Sequence, residues 1–374
     1  MNATKPLTIC VCGQTPPPTH GQAVMIQSLM DGAYTRIRLI HVRMAFSNRL
    51  ADVGKPGSRK ILHLPALALR LTIARLRGAT ILYYPPAGPD RIPLLRDLAL
   101  LSMVRWLFPK TVYHFHITGL ADQYEKLSDI GKRWFRLAYG RPTLAIYLSA
   151  HAPADAAPML PKAVRVIPNG IPDRPEAFSP VRARHEEGRI PVILFVGAIT
   201  PEKGITVLIN ALHLLRQRGR LFKAILAGGV RTPAYGQEIR RTLSVLRLTS
   251  SIEFTGHLDG EAKWRAFAEA DLFCFPSLTD SFGLVVLEAM AMQLPVVASD
   301  WCGLKDIVED GITGFRAPKG DAPALADKLE TLLLDPNQRL QMGEAGRARY
   351  LREYTQAVWR RRMEEALAQC AEAP

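Results

Sequence analysis

Asp280 and Glu288 enclose a segment whose composition suits the binding of an anionic ligand that carries hydroxyl groups. The segment 279–293 has the sequence TDSFGLVVLEAMAMQ, and Gly283 opens a helix-compatible run. If the helix begins near Phe282, Asp280 lies in the loop before it and Glu288 lies inside it. Glu288 could then accept hydrogen bonds from a ribose diol, and Asp280 could reach the hydroxyls of a sugar.

The predicted start of this helix suits an anion. Backbone N–H groups of Phe282, Gly283 and Leu284, beside Ser281, would lack partners within the helix and would point out of its positive end. A diphosphate fits that position. The alternative is an ordinary helix capped by Ser281 or Asp280, with its glutamate on the solvated face.

A second loop places a cation after another predicted strand. The segment 195–204, FVGAITPEKG, precedes a helix-compatible run. Gly197 and Gly204 permit tight backbone turns, and Lys203 is placed to reach a phosphate group. A lone lysine before a glycine is also an ordinary solvated residue, so this loop alone does not decide between the two interpretations.

The first half of the chain carries two further candidate segments. After the opening strand, GQTPPPTHGQAVM contains three prolines, and Gly21 starts a helix-compatible run that permits a backbone approach to phosphate or sugar. His20 could contact a substrate or be incidental. In VYHFHITGL, His114 and His116 alternate at a strand end, so both could line a binding site or one could lie in the core. A metal pair is the weaker alternative, because no third ligand is evident nearby.

The segment 281–291 resembles the hallmark of the family 4 glycosyltransferases, which is two glutamates separated by seven residues around a core similar to SFGLVLLEAMA. This resemblance implies a retaining transferase of the GT-B fold, an α/β architecture with two Rossmann-like, doubly wound domains that face each other across a cleft. Lys203 and the helix start would bind the phosphates of a UDP- or GDP-linked sugar, and Glu288 would bind the ribose. Asp280 and His116 would contact the sugar as catalytic residues.

Two departures from the family pattern concern charged side chains. Asp280 stands where the family usually has glutamate, and its side chain is shorter by about 1.5 Å, so a hydrogen bond is lost or lengthened unless the loop adjusts. Ala198 stands where the family commonly has an arginine, whose loss removes a contact of ~1.5–3 kcal/mol unless another cation, with Arg231 as the candidate, compensates. The departures leave open a degenerate subunit that binds a sugar nucleotide without turnover.

Further resemblances extend over nearly the whole chain and are weakest between residues 43 and 77. The loop that contains Gly21 resembles the family's glycine-bearing, cleft-lining loop. VIPNGI at 166–171 resembles its strand-to-linker turn, although Asn-Gly is also a turn signal in its own right. GITGF at 311–315 fits the family too. The resemblance implies no catalytic metal and no cofactor beyond the nucleotide-sugar co-substrate, and the sequence has no Asp-x-Asp signature.

Hydrophobic patterning predicts the elements that must position these residues. A chain of 374 residues exceeds what one hydrophobic core usually supports. Short β-rich runs alternate with helix-compatible segments in both halves, which is the pattern of parallel sheets covered by helices. The predicted strands are 7–11, 37–42, 80–84, 111–115, 143–148, 164–167, 192–196, 222–227, 252–254, 272–275 and 296–298.

The patterning also predicts domain boundaries. We expect a Rossmann-like acceptor-side domain over 1–175, a proline-containing linker over 176–190 and a nucleotide-sugar-binding domain over 191–350. Residues 351–374 are expected to form a C-terminal helix that can pack back towards the N-terminal domain. Because parallel sheets bind ligands beyond the carboxyl ends of their strands, the loops after strands are the expected sites.

The net charge of +14 is carried by one half of the chain. Residues 1–190 contain 26 Lys and Arg against 12 Asp and Glu, whereas residues 191–374 contain 22 of each. Such charge suits nucleic acid, an anionic membrane or phosphorylated substrates. We expect no nucleic-acid partner, because no such motif is present. The five cysteines lack zinc or disulfide spacing and the first residues lack a secretory signal, which favours the cytoplasm.

Two basic, apolar segments bear on the acceptor. Residues 59–77, RKILHLPALALRLTIARLR, and 94–108, LLRDLALLSMVRWLF, place cations around apolar runs as an interfacial helix does. The alternative is helices packed on the sheet with exposed arginines. An interfacial role implies a lipid-linked or lipopolysaccharide acceptor at the inner face of the cytoplasmic membrane, as in bacterial polysaccharide-building members. A sugar-nucleotide epimerase or a phosphorylase of the same fold is the remaining alternative.

Overall fold

The computed structural model describes residues 6–44, 58–86, 88, 90–152, 154–174 and 188–372. The chain forms two compact units. The first comprises Met1–Asn169 and Gln356–Pro374, and the second comprises Gly170–Thr355. Most of the predicted linker, 176–190, lies outside the described residues.

The first unit is built on a six-stranded parallel sheet in the order β2-β1-β3-β4-β5-β6. Central strands are buried on both faces, as their continuous apolar runs require. The strands are β1 (Leu7–Gly13), β2 (Ile37–Arg43), β3 (Ile81–Tyr84), β4 (Lys110–Phe115), β5 (Leu144–Tyr147) and β6 (Val164–Val166). The helices between them are α1 (Gly21–Met30), α2 (Ser58–Leu76), α3 (Arg91–Val104), α4 (Leu120–Glu125) and α5 (Asp129–Tyr139).

The second unit is built on another six-stranded parallel sheet, in the order β12-β11-β10-β7-β8-β9. Its strands are β7 (Val192–Val196), β8 (Lys223–Ala227), β9 (Ile252–Gly256), β10 (Leu272–Phe275), β11 (Val296–Ser299) and β12 (Gly314–Ala317). Its helices are α6 (Ile205–Gln217), α7 (Pro233–Val245), α8 (Gly260–Glu269), α9 (Leu284–Ala291), α10 (Gly303–Ile307), α11 (Ala322–Leu334) and α12 (Pro336–Glu353).

The last helix, α13 (Gln356–Glu372), completes the first unit. Arg360 donates two hydrogen bonds to the carbonyl oxygen of Ser28, at 3.0 and 2.9 Å, near the end of α1. The carboxylate of Glu364 accepts the backbone N–H groups of Thr35 and Arg36, each at 2.7 Å, just before β2. The chain therefore returns to its first unit after the second is built.

The order of the strands locates the ligand-binding edge of each sheet. In the second unit β7 leads to β8 and β9 on one side and neighbours β10 on the other, which is the Rossmann arrangement. In the first unit the order reverses between β1 and β3. Ligands of open parallel sheets bind beyond the carboxyl ends of strands at such a reversal. The loops after β1, β7 and β10 therefore occupy the expected positions.

The predicted α/β architecture with two doubly wound sheets is confirmed, and every predicted strand has its counterpart. The patterning missed β12, which has the sequence GFRA. Its four residues include a glycine and an arginine, so neither length nor β-propensity marks it. It forms because it adds to the exposed edge of β11, where Val297 pairs with Phe315.

Candidate functional site

Lys203 and Asp280 meet where the chain order of the second sheet reverses. Lys203 ends a short 3-10 turn, Pro201–Lys203, after β7, and Asp280 lies in the loop after β10. The ammonium nitrogen of Lys203 is 2.6 Å from each carboxylate oxygen of Asp280. Both side chains keep contact with solvent, with exposed fractions of 27% and 21%. This ion pair is an electrostatic unit at the edge where ligands of this fold bind.

Contacts between their two loops hold this pair in place. Leu278 donates its backbone N–H to the carbonyl oxygen of Glu202 at 2.9 Å. Gly204 has a φ of +72°, and a Cβ there would lie 1.9 Å from the carbonyl oxygen of Pro276. Only glycine allows so close an approach. The loop after β7 is therefore pressed against the loop after β10.

Glu288 is the second acid of the segment, and the structure places it inside α9. Its side chain is 13% exposed, so the alternative of a solvated glutamate is wrong. Oε1 accepts a hydrogen bond of 2.6 Å from the ammonium group of Lys263, a residue of α8. Burial raises the pKa of Glu288 above its ordinary value, and Lys263 opposes that shift.

The helix that carries Glu288 begins later than the sequence predicted. It starts at Leu284 rather than near Phe282, because Gly283 adopts a left-handed conformation with a φ of +85° and ends the loop. Phe282 is buried, and the N-cap residue is Gly283 rather than Ser281 or Asp280, so the alternative N-cap is also wrong. The first intrahelical bond runs from Val286 to Gly283 at 3.0 Å, so the N–H of Leu284 precedes the hydrogen-bonded turn.

The loop after β8 brings the cation that could replace the missing arginine near Ala198. Arg231 donates its backbone N–H to the carbonyl oxygen of Ile199 at 3.3 Å. Hydrogen bonds at the turn lower the pKa of Glu202, which immediately precedes Lys203, and the charge of Arg231 contributes a smaller lowering. Arg231 thus contacts the loop that bears Lys203, and its compensating role stays a prediction.

In the first unit, Gly21 is the first residue of α1, as predicted for a loop that leads into a helix. His20 is the N-cap of that helix, and its Nδ1 accepts the backbone N–H of Ala23 at 3.4 Å. Burial lowers the pKa of His20. The sequence did not reveal this capping role, because histidine is not a common N-cap residue.

His114 and His116 lie together at the end of β4. Both are buried, and their ring centroids are 4.1 Å apart. The hydroxyl of Tyr83 is 2.5 Å from Nδ1 of His114. Burial lowers the pKa of His114 well below its ordinary value and that of His116 to about 3, with smaller effects from His116 and His20 respectively. Both rings are therefore neutral near pH 7.

The structure brings the predicted residues together in two groups, one in each unit. Lys203 contacts Asp280, and the helix that carries Glu288 begins four residues after that aspartate. His20 and His116 interact electrostatically in the first unit, next to Gly21. Among the described residues, no three His, Cys, Asp or Glu side chains are grouped to hold a metal ion. In the same part of the chain, no helix is long and apolar enough to cross a membrane.

Sequence reasoning missed Lys263. Its segment, GEAKWRAFAE, is an ordinary amphipathic helix with no recognisable motif. The contact with Glu288 joins residues 25 positions apart on different helices, so spacing alone could not indicate it.

The two sheets with their flanking helices define a protein of the GT-B fold. The Anabaena protein HepE, solved in complex with UDP, has this fold: it is 20% identical, the TM-score is 0.71, and the match covers 97% of this chain and 100% of HepE.

The second unit carries the match to a known family. Residues 180–349 match the family model described as Glycosyl transferases group 1. Alpha-D-kanosaminyltransferase of Streptomyces kanamyceticus is 33% identical over 44% of this chain and 42% of its own length. The GDP-mannose-dependent alpha-(1-6)-phosphatidylinositol monomannoside mannosyltransferase of Mycolicibacterium smegmatis is 34% identical over 55% of each chain. The chain thus spans about half the length of the curated relatives it matches.

Proposed function

We propose that this protein is a retaining glycosyltransferase that moves a sugar from a nucleotide diphosphate donor to a glycan or lipid-linked acceptor in polysaccharide biosynthesis. The observation that carries the proposal is the arrangement of Lys203, Asp280 and Glu288 around the start of α9. This arrangement lies at the ligand-binding edge of a Rossmann-type sheet. The family match of residues 180–349 supports the same activity.

The donor is proposed to be a UDP- or GDP-linked sugar. HepE was solved with UDP, and the mannosyltransferase relative is named as GDP-mannose-dependent. In our proposal Lys203 and the N–H groups at the start of α9 bind the diphosphate, since both present positive charge there. Glu288 accepts hydrogen bonds from the ribose.

Catalysis is proposed to consist mainly of positioning and charge neutralisation. Asp280 and His116 would hold the hydroxyls of the transferred sugar, and the leaving diphosphate would help to deprotonate the acceptor hydroxyl on the same face. Lys203 would offset the charge that develops on the leaving group. In this scheme the transfer needs no bound metal and no cofactor beyond the nucleotide sugar.

The test compares donor binding and turnover in the wild type and in Glu288→Gln. A panel of UDP- and GDP-sugars is titrated by calorimetry, and the release of nucleoside diphosphate (UDP or GDP) is followed with and without acceptor glycans. Glu253→Gln is the matched control, because Glu253 also pairs with a lysine, Lys223, but both side chains are half exposed. We expect selective binding by the wild type and the control, and weaker binding by Glu288→Gln.

The outcomes separate the proposal from its alternatives. Binding without turnover would indicate a degenerate sugar-nucleotide-binding subunit, which Asp280 and Ala198 favour. Conversion of the donor sugar without any acceptor would indicate an epimerase. A wild-type protein that binds no member of the panel contradicts the catalytic proposal.

We further propose that the first unit rests on the inner face of the cytoplasmic membrane as a peripheral protein. Helix α3 contacts both α2 and α5. Their outer side, with the turn after α3, exposes large apolar residues: Leu69, Leu76, Ile92, Leu95, Met103, Trp106, Ile130 and Leu137. Exposed arginines lie among them: Arg70, Arg77, Arg91, Arg133 and Arg136. We call these residues the apolar-basic face.

The charge of this face matches an anionic lipid surface. The α2 sequence contains no acidic residue, Asp97 of α3 is fully buried, and the exposed acid of α5, Asp129, is outnumbered by Lys132, Arg133 and Arg136 on the same helix. Two contributions bind amphipathic helices to membranes: apolar side chains enter the interface, and arginines contact lipid phosphates. A lipid-linked acceptor would then be reached where it resides.

A further inference from the structure

Lys263 is a cation that no motif marks, yet it directly contacts a proposed donor-binding residue. Its ammonium nitrogen is 2.6 Å from Oε1 of Glu288, and the two side chains are 23% and 13% exposed. The contact joins α8 to α9. An ion pair so shielded from solvent fixes the geometry of the carboxylate more firmly than an exposed pair does.

The two oxygens of Glu288 are in different states. Oε1 is held by Lys263, whereas Oε2 is buried and has no hydrogen-bond partner among the described residues. A buried acceptor without a partner is costly and rare in native proteins. The free oxygen is therefore suited to a donor group that arrives with a ligand, such as a hydroxyl.

A second cation stabilises the ionised form of this carboxylate. Arg174 acts on Glu288 electrostatically, after the larger effects of burial and of Lys263. Arg174 and Lys263 also both lie over the ring of Trp264, at 5.6 and 5.4 Å from its centroid. The aromatic ring thus organises the cations that face Glu288.

We propose that Lys263 is the positioning residue for ribose recognition: by fixing Oε1 of Glu288 it leaves Oε2 to accept a hydrogen bond from a ribose hydroxyl. This inference rests on the proposed function, since it requires a nucleotide donor at this site. Lys263 itself is not expected to touch the transferred sugar.

The experiment measures how strongly the full-length protein prefers ribose over deoxyribose. UDP, GDP and their 2′-deoxy and 3′-deoxy forms are titrated by calorimetry into the wild type, Lys263→Met and Lys263→Arg. Lys223→Met is the matched control, because Lys223 forms the half-exposed pair with Glu253 in the same unit. Thermal unfolding of every variant shows that the second unit is intact.

A hydrogen bond to a charged acceptor predicts a wild-type preference of about tenfold or more for UDP or GDP over at least one deoxy form. In Lys263→Met this preference falls to about threefold or less, whereas Lys263→Arg and Lys223→Met keep it. An unchanged preference in Lys263→Met overturns the inference and leaves the proposed function standing. A wild type that binds neither UDP nor GDP contradicts the proposed function itself. A wild type that binds them without a ribose preference overturns the inference together with the ribose-binding role of Glu288, and leaves the proposed transferase activity standing.

A double-mutant cycle distinguishes positioning from general support of the fold. If Lys263 acts through Glu288, adding Lys263→Met to Glu288→Gln changes UDP affinity by less than about twofold. Equal losses in both backgrounds overturn the inference. The pH dependence gives a second readout. Lys263 opposes the rise in the pKa of Glu288 that burial causes, so Glu288 should be protonated more readily in Lys263→Met. As the pH is lowered, the ribose preference of Lys263→Met should therefore disappear at a higher pH than that of the wild type. If Lys263→Met does not fold, Lys263→Gln, which keeps a donor without the charge, takes its place in the cycle.

Discussion

At the scale of single residues, the second unit pairs each acid of its binding segment with a lysine. Lys203 holds Asp280 and Lys263 holds Glu288. In the proposed function, Lys203 must also serve the diphosphate. The carboxylate of Asp280 and the diphosphate therefore compete for the same ammonium group, and this competition gives a prediction.

Asp280→Asn should separate nucleotide binding from turnover. Removing the negative charge frees Lys203 for the diphosphate and removes a like charge beside it, so UDP or GDP affinity should stay equal or rise. Turnover should fall about tenfold or more, because the amide is a weaker acceptor for a sugar hydroxyl. Calorimetry and nucleotide release measure the two effects. Asp327→Asn is the control, because Asp327 is largely exposed and also forms an ion pair, with Arg218. A parallel loss of binding and turnover in Asp280→Asn would count against competition.

The two buried histidines should make the first unit sensitive to acid. Their pKa values are lowered by burial in the folded state, that of His116 to about 3. The unfolded chain, with ordinary histidine pKa values near 6.5, then binds more protons below about pH 6.5, so the free energy of unfolding falls as the pH falls. Between pH 6.5 and 5 the loss is up to about 2 kcal/mol per histidine.

Urea unfolding at several pH values measures this slope. The His114→Gln, His116→Gln double variant should flatten it between pH 6.5 and 5, whereas His63→Gln, at an exposed position of α2, should not. A wild-type slope that the double variant leaves unchanged would assign the acid sensitivity to other groups.

The sequence predicted the acids and Lys203 but not the pairing among them. Lys203 and Asp280 are 77 positions apart, and only the parallel order of β7 and β10 brings them together. A pattern can indicate which residues follow strands, and the order of strands decides which of them touch. Lys263 was missed for the same reason.

At the scale of elements, the start of α9 depends on the left-handed conformation of Gly283. A Cβ at this position would lie 2.9 Å from the side chain of Leu304, so substitution adds a steric clash to the backbone strain. The sequence predicted this start two residues early, because the presence of a glycine within an apolar run does not reveal that its φ is positive. The missed strand β12 shows the same limit, since sheet addition is a tertiary effect.

Gly283→Ala should weaken donor binding by displacing the first turn of α9. The strain of a left-handed alanine is about 1–2 kcal/mol, and the clash adds to it. Gly219→Ala is a matched control, because Gly219 has a similar φ of +74° with no atom near its Cβ and follows α6. Both variants should lose thermal stability, but only Gly283→Ala should lose UDP or GDP affinity. Equal nucleotide affinity in the two variants would contradict a role of this turn in binding.

At the scale of the whole molecule, the two sheets could be predicted because their strands are continuous apolar runs. The apolar-basic face could be predicted only in part: the sequence indicated α2 and α3, and the structure adds α5 through its contact with α3. The amphipathic pattern of α5 alone is equally typical of a helix packed on a sheet. Its exposed Ile130 and Leu137 become evident only in the folded unit.

The proposed membrane surface predicts binding to anionic vesicles. The full chain should sediment with phosphatidylcholine vesicles that contain phosphatidylglycerol, and much less with phosphatidylcholine alone, and added salt should reduce the binding. Replacing Leu76 and Trp106 together by serine should lower the binding about tenfold or more, because both insert apolar area. Leu221→Ser, a similarly exposed leucine of the second unit, is the control. Equal binding to neutral vesicles, or by the double variant, contradicts the proposal.

The return of α13 to the first unit bears on how the chain is made. During synthesis, the partners of Arg360 and Glu364 near α1 and β2 leave the ribosome long before α13 does. At ordinary elongation rates, the roughly 200 residues between Asn169 and α13 take about 10 to 40 s. During this interval the surface of the first unit that α13 will cover stays exposed, while the second unit, which is continuous in sequence, can already fold. Chaperones that protect nascent chains would be expected to act on that surface during this interval.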